Sequence, residues 1–461
     1  MTMKNLTFIL LIFTTIFSNA QAVLSSEQIV SCGSFEFMKH IETQEQGFIE
    51  LSNNFIKSAT KVVNNKSLNS EEELYVIPVV FHIVYNNESE NLHDSVILNQ
   101  INILNKNFRR QIADTTNTRD IFLDLVGDSR IEFVLAGTDP EGNPSSGITR
   151  TNTDIEDFGG ILPYGQGQNT EINQWVNDHF YDNLFRITQS SEGGINPWDE
   201  SRYLNIWIGD LRIFEPEFNN FEELVFFGLS TPPADLDNWP SSIYDLLDGY
   251  NHGVLMHYVN IGGNNPNQFP SAYNAYNGLV NTGKMLVHEV GHYLGLRHIW
   301  GDGGCSEEDF IDDTPNATDH SQYACNPSKN DCLDDINGVD LPNMIENYMD
   351  YSSANCQNSF TNGQISLMRT IIENNRPGLL TSVNNIGTNN NISLFPNPTN
   401  GIINIKSNQY FNIEVFNSTG TLIQRINQTK TIDLSHQAKG LYLIKLSNKS
   451  TIITKTIIKN N

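Results

Sequence analysis

The stretch Val287–Trp300 reads VHEVGHYLGLRHIW. His288 and His292 are four residues apart, so on a helix both project from one face and can hold one metal ion. Glu289 stands between them, placed to reach an activated water rather than the metal itself. Gly295 can take φ > 0 and end the helix, after which the chain turns so that His298 supplies a third nitrogen. Three imidazoles leave one tetrahedral position open, the arrangement of a catalytic zinc and not of a closed structural one. Zinc in such a site lowers the pKa of water toward about 7 and polarises a scissile carbonyl. Glu289 would take the water proton and pass it to a leaving amine. The helix is expected from about Thr282 to Leu294, with Val287, Val290 and Leu294 on its core side.

A pair of helical histidines alone is often incidental. The added glycine and third histidine at fixed spacings make the metzincin pattern, which predicts a methionine turn downstream. Asn347-Tyr348-Met349-Asp350-Tyr351 fits it. Met349 would form an apolar floor beneath the histidines, a role that differs little from that of an ordinary core methionine. Tyr351 could aim its hydroxyl at the metal or at a tetrahedral oxyanion; the plain alternative is a packed ring.

With these residues the chain resembles the pappalysin (cytophagalysin) family of metzincin zinc endopeptidases. Further matches are Ile299-Trp300-Gly301-Asp302-Gly303, Asp312-Asp313-Thr314-Pro315, Phe360-Thr361-Asn362-Gly363-Gln364 and, upstream, Ile77-Pro78-Val79-Val80-Phe81-His82. The likeness runs from about Leu74 to Arg376. It implies an α/β (α+β) metzincin-like fold of two subdomains. The upper one holds a twisted sheet and the zinc helix, the lower one the methionine turn, with the substrate cleft between. Sequence allows three pairings of Cys305, Cys325, Cys332 and Cys356; the resemblance implies Cys305–Cys332 and Cys325–Cys356. A zinc site built from these cysteines would lack the usual close pairs. The resemblance also gives Cys32, in Ser31-Cys32-Gly33, the role of a zinc ligand that keeps a zymogen latent. A free buried thiol or an intermolecular disulfide are the other readings. Calcium could bind Asp312, Asp313 and Thr314, near Asp309 and Asp319, although a solvated acidic face reads equally well. Ser352 to Cys356 would shape the pocket after the scissile bond; no acid stands there to select a basic residue. His82, His252 and His257 read as packed or surface residues.

Composition supports this frame. The chain has 461 residues, 38% of them hydrophobic, and a formal net charge of -26. Such acidity argues against nucleic acid or an anionic membrane surface as partner. Lys4, the apolar run Leu6–Phe17 and Ser18-Asn19-Ala20-Gln21-Ala22 form a secretory signal over residues 1–20, too short to span a bilayer. Residues 21–70 read as a pro-segment, 71–380 as the catalytic domain, 381–392 as a linker and 393–461 as a C-terminal antiparallel β-sandwich. From Gly401 onward the chain carries a charge of +6, leaving -32 for the rest. This tail, with Leu394–Gly401 reading LFPNPTNG, resembles a type IX secretion sorting domain; a carbohydrate- or protein-binding sandwich is the alternative.

Among the expected elements, Leu74–Tyr85 is a strand that Pro78 assigns to an edge or a bulge. Asp94 or Ser95 would cap a helix whose face carries Ile97, Ile101, Leu104 and Phe108. Tyr203–Ile208 and Val254–Val259 are further strands. The functional expectation is a secreted, latent zinc endopeptidase, monomeric, with protein or peptide substrates and the type IX machinery as partners. Its cofactors would be Zn²⁺ and, second, Ca²⁺. A non-catalytic adhesion protein on a metzincin-like scaffold is the rival, and a zinc hydrolase of non-peptide bonds the next.

Overall fold

The computed structural model describes residues 29–30, 32–65, 73–161, 181–217, 220–233, 250–267, 282–336, 338–380, 393–407, 410–417, 422–448 and 452–460. The expected signal peptide and the linker 381–392 lie outside these residues.

Strand β2 (Tyr75–Tyr85) is the spine of the upper half, and its β-branched and aromatic run is buried almost throughout. On one side its first half pairs in parallel with β3 (Ile131–Leu135) and its second half with β4 (Ile148–Asn152). On the other side lies β6 (Leu204–Gly209), then β10 (Val254–His257), both parallel; β9 (Gly228–Ser230) closes the sheet antiparallel. The expectation that Pro78 marks an edge or bulge is therefore wrong. The amides of Tyr75 and Phe81 point to the β3/β4 side, so the Pro78 nitrogen faces β6, and pairing with β6 begins only at Val79. The missing donor falls where no partner carbonyl is needed. A second sheet joins β1 (Ile29–Val30), β8 (Asn220–Phe226), β7 (Arg212–Glu217) and β5 (Gly160–Ile161) in that order.

Helix α3 (Asp94–Phe108) lays Ile97, Leu104 and Phe108 into the core. Its cap is His93, not Asp94 or Ser95: the His93 side chain accepts the Ser95 amide. Gln100 on α3 accepts from Gly262 N and donates to Gly283 O, which fixes the entry to α5 (Lys284–Tyr293). Gly283 has φ 73, and a Cβ there would meet Gln100 Oε1 at 2.8 Å. Residues Met285 to Tyr293 of α5 are all buried, so the helix has no solvent face beyond the expected apolar stripe. Lys284 Nζ donates to Ala354 O and Gln357 O at 2.7 Å each and pairs with Asp114 at 2.8 Å, tying α5 to the lower half.

The lower half contains little regular structure and is stapled by Cys305–Cys332 and Cys325–Cys356. Helix α6 (Asn362–Asn375) opens with a capping box between Thr361 and Gln364. Gln364 and Asn347 exchange amide hydrogen bonds, which anchors the methionine turn to that helix. Ahead of β2, α1 (Ser34–Gln44) and α2 (Phe48–Asn65) form a hairpin through Gly47, φ 99. Phe37, Ile41 and Phe48 pack with Phe185 and Tyr181 of α4 (Tyr181–Phe185) and with Tyr250, whereas Ile56 and Ala59 join the main core.

At the C-terminus β11 (Ser393–Phe395), β12 (Ile402–Lys406) and β15 (Thr431–Asp433) form one antiparallel sheet. A second comprises β14 (Leu422–Thr429), β13 (Phe411–Asn417), β16 (Gly440–Ser447) and β17 (Ile452–Lys459). Inward side chains of both, among them Ile403, Ile405, Ile413, Val415 and Ile444, share one core, as in a sandwich.

His82 is fully buried on β2, its Nδ1 2.7 Å from Thr149 Oγ1 and its Nε2 2.9 Å from Asn205 Oδ1. Burial lowers its pKa to about 4. In the unfolded chain it titrates near ~6.5, so acidification protonates the unfolded state first. The contribution is intact above pH ~6.5 and is lost progressively toward pH 4, on the order of 3 kcal/mol at most. The thermal midpoint should fall over that window, and less steeply in His82→Gln. Identical pH dependence of the two proteins would assign the acid sensitivity to another group.

Candidate metal centre and active site

Helix α5 presents His288 and His292 one turn apart, and the turn at Gly295 (φ 94) returns the chain so that His298 meets them. His292 Nε2 lies 3.0 Å from His288 Nε2 and 3.1 Å from His298 Nε2. The outer nitrogens face acceptors only. His288 Nδ1 donates to Tyr348 O at 2.7 Å, His292 Nδ1 to Leu296 O at 2.8 Å, and His298 Nδ1 to the Asp302 carboxylate. Those partners place the protons on Nδ1. Three Nε2 lone pairs then point at a common centre, where they repel unless a cation lies between them. Burial, with His298 next, lowers the His288 pKa to about 3 and holds His292 well below its usual value, so these two rings stay neutral. Three neutral imidazoles with oriented outer nitrogens are a donor set that fits zinc. Among the described residues, Cys32 and these histidines are the group of metal-capable side chains that converges, with ligand atoms within 4.8 Å of one another.

Glu289 is completely buried beside them. Its Oε2 accepts from Ser34 Oγ at 3.0 Å and from Cys32 Sγ at 3.6 Å, while Oε1 has no hydrogen-bond partner. Burial raises its pKa to about 8, against the hydrogen bonds of Ser34 and Cys32, which lower it. Burial, then the facing Glu289 carboxylate, pushes the Cys32 thiol up as well.

Met349 is fully buried under α5. A Cβ on Gly291 would lie 2.5 Å from Met349 Sδ, so the glycine between the two histidines makes room for the floor. The Tyr351 ring packs 4.9 Å from His298 and 5.5 Å from His288. Two supports carried no assigned role in the sequence. Trp300 stacks on His298 at 4.2 Å with an interplanar angle of 6°, and Asp302 orients the same ring. An acid four residues after the third histidine was the legible signal for Asp302. Ser34 had none.

The proposed calcium residues do not converge in the same way. Asp312 is exposed, and the Thr314 hydroxyl is engaged by Asp309 and Ile311 O. Asp313 Oδ2 accepts from Gly363 N, and Oδ1 has no hydrogen-bond partner. His82 and His257 are packed, as expected, and His252 donates its amide to Glu200.

Two family profiles match. One, described as pregnancy-associated plasma protein-A, covers residues 245–373; the other, a secretion system C-terminal sorting domain, covers residues 393–460. An extracellular metalloprotease of Arthroderma benhamiae is 41% identical over 99 residues, which span 21% of this chain and 32% of that protein. Mature mirolysin of Tannerella forsythia, solved in complex with a cleaved peptide, is 33% identical and aligns with a TM-score of 0.51 over 68% of this chain and 98% of its own. A promirolysin mutant of the same organism gives 31% identity, a TM-score of 0.56, and coverage of 77% and 98%. The chain belongs to the pappalysin family of metalloproteases. Its sorting tail and extracellular relatives place this pappalysin outside the cell or at the cell surface.

The contact between Gly291 and Met349 has a measurable consequence. Gly291→Ala forces Met349 away from the histidines at a cost of about 1–3 kcal/mol. Both the melting temperature and the affinity for zinc should drop, and Met349→Leu should leave both nearly unchanged. A Gly291→Ala protein with normal zinc affinity would show that the floor does not shape the site.

Proposed function

We propose that this pappalysin is a zinc endopeptidase made as a latent precursor, with His288, His292 and His298 holding the metal and Glu289 as general base. The observation that carries this reading is the meeting of three Nε2 lone pairs beside a buried carboxylate with one free oxygen. Zinc, when bound, would acidify the attacking water and polarise the scissile carbonyl. Glu289 takes the water proton and returns it to the leaving amine. Tyr351, packed against two of the histidines, offers a hydroxyl to the developing oxyanion. Trp300 and Asp302 keep His298 from rotating.

Residues 21–70 are the proposed pro-segment and 71–380 the proposed catalytic domain. Latency is assigned to Cys32, whose sulfur lies with the three histidine nitrogens. Substrates are proteins or peptides, taken by a monomer. The acid-free Ser352–Asn355 wall gives no reason for a basic residue after the cut. Calcium is a second cofactor, supported by the unpartnered Asp313 Oδ1.

The mechanism is tested on the processed enzyme with an unfolded protein as substrate. Glu289→Ala should lose about 10²–10⁴ in kcat with its zinc content unchanged, and a chelator should abolish activity that added zinc restores. Equal cleavage by the variant and the unmutated enzyme would sink the reading. For calcium, the added ion should raise the melting temperature of the unmutated chain and not that of Asp313→Asn. A shift in neither removes calcium from the account.

A further inference from the structure

Residues 29–30 and 32–34 lie along the rim of the sheet. Ile29 and Val30 pair in parallel with Val225 and Phe226, and Gly33 N donates to Gly228 O at 2.9 Å. A Cβ on Gly33 would lie 3.0 Å from the Phe226 ring and 3.1 Å from Leu229, so any larger residue would have to push these side chains back. Gly33, with φ -91 and ψ -1, turns the chain into α1 directly after Cys32. Cys32 and Ser34 both turn toward Glu289.

Ser34 is the first residue of α1, one place after its cap Gly33, and its hydroxyl is directed at Glu289. Ser34 Oγ accepts from Ser230 N at 2.8 Å and donates to Glu289 Oε2 at 3.0 Å, and its backbone N–H donates to Cys32 Sγ at 3.3 Å. All of these groups are buried.

We propose that Ser34 is a second inhibitory ligand of the latent site, its hydroxyl holding one oxygen of the general base while Cys32 takes the metal, so that loss of either contact alone lifts latency only in part. This rests on the latent zinc endopeptidase reading above. Cys32 Sγ donates to the same Glu289 Oε2 at 3.6 Å, so the sulfur and the carboxylate share one corner of the site. Ser34 serves both at once, the amide to sulfur and the hydroxyl to carboxylate. It also fills a hydrogen-bonding position at Glu289 Oε2 that a water would otherwise take. A latch of the sulfur alone would leave the base free to act whenever the thiol left the metal.

The test uses the full-length chain, zinc-loaded, as Ser34→Ala, Ser34→Thr, Cys32→Ala and the double variant Cys32→Ala/Ser34→Ala. Both positions leave with the proposed pro-segment, so every variant yields the same processed enzyme. Before processing, Ser34→Ala should hydrolyse peptide about tenfold faster than the unmutated precursor, the size of one lost hydrogen bond to a charged group. Ser34→Thr, which keeps the hydroxyl, should stay latent. Cys32→Ala should remain below the processed enzyme, and only the double variant should reach it. The proposal is overturned if Cys32→Ala alone is as active as the processed enzyme, or if the double variant is no more active than Cys32→Ala. A second readout is independent of catalysis: a thiol reagent should modify Cys32 faster in the Ser34→Ala precursor, and an unchanged rate counts against Ser34. Processed enzyme that binds zinc and cuts nothing would instead defeat the endopeptidase reading, and the labelling rate would still decide on Ser34.

Discussion

Three imidazole nitrogens, that of His292 about 3 Å from each of the other two, lone pairs inward, form the constraint on which the rest of the structure depends. Neutral rings would not adopt this arrangement unaided. Each is fixed from behind by an acceptor in a different part of the chain: Tyr348 O in the methionine turn, Leu296 O in the turn after the helix, Asp302 in the following loop. The turn at Gly295 is thus defined by the histidine pair it must complete, and the methionine turn is both floor and hydrogen-bond acceptor. The amide exchange of Asn347 with Gln364 and the hold of Lys284 on Ala354 and Gln357 act at one remove, keeping that turn against α5.

The same constraint explains why the lower half can dispense with regular structure. Its loops need only present Tyr348, Met349 and Tyr351 to the helix, and two disulfides limit how far the unfolded chain can wander. Arg119 adds a polar clamp: its guanidinium binds the Glu346 carboxylate through two nitrogens and also donates to Asn343 O and Pro327 O. Glu346 is nearly fully buried, so removing either partner would strand a charge in the interior.

What was legible in the sequence was local. The histidines, Glu289, Gly295 and the methionine turn declare themselves through spacing, because a helix and a tight turn convert spacing directly into geometry. Pro78 misled because a proline rule concerns one missing donor, and only the tertiary register shows that β6 has not begun at that point. His93 was passed over as a cap because an imidazole is not among the usual capping side chains. Ser34 was invisible for a stronger reason: it meets Glu289 across 255 positions, and no local pattern encodes such a contact.

Residues 32–65 are also more than a plug. Phe37, Ile41 and Phe48 fill an aromatic cluster with Tyr181, Phe185 and Tyr250, and Ile56 and Ala59 belong to the core that contains Leu294 and Ile371. Each fully buried side chain of this size contributes about 1.5–3 kcal/mol, which is large against the marginal stability of a whole domain. The segment that reaches Glu289 therefore also packs on α6. Its removal, as proposed, would uncover the site and apolar surface together. In the proposed zymogen the same contacts would couple latency to stability, and the proposed catalytic unit, once free of this segment, would stand on Lys284, the two disulfides and the three histidines to keep its halves in register.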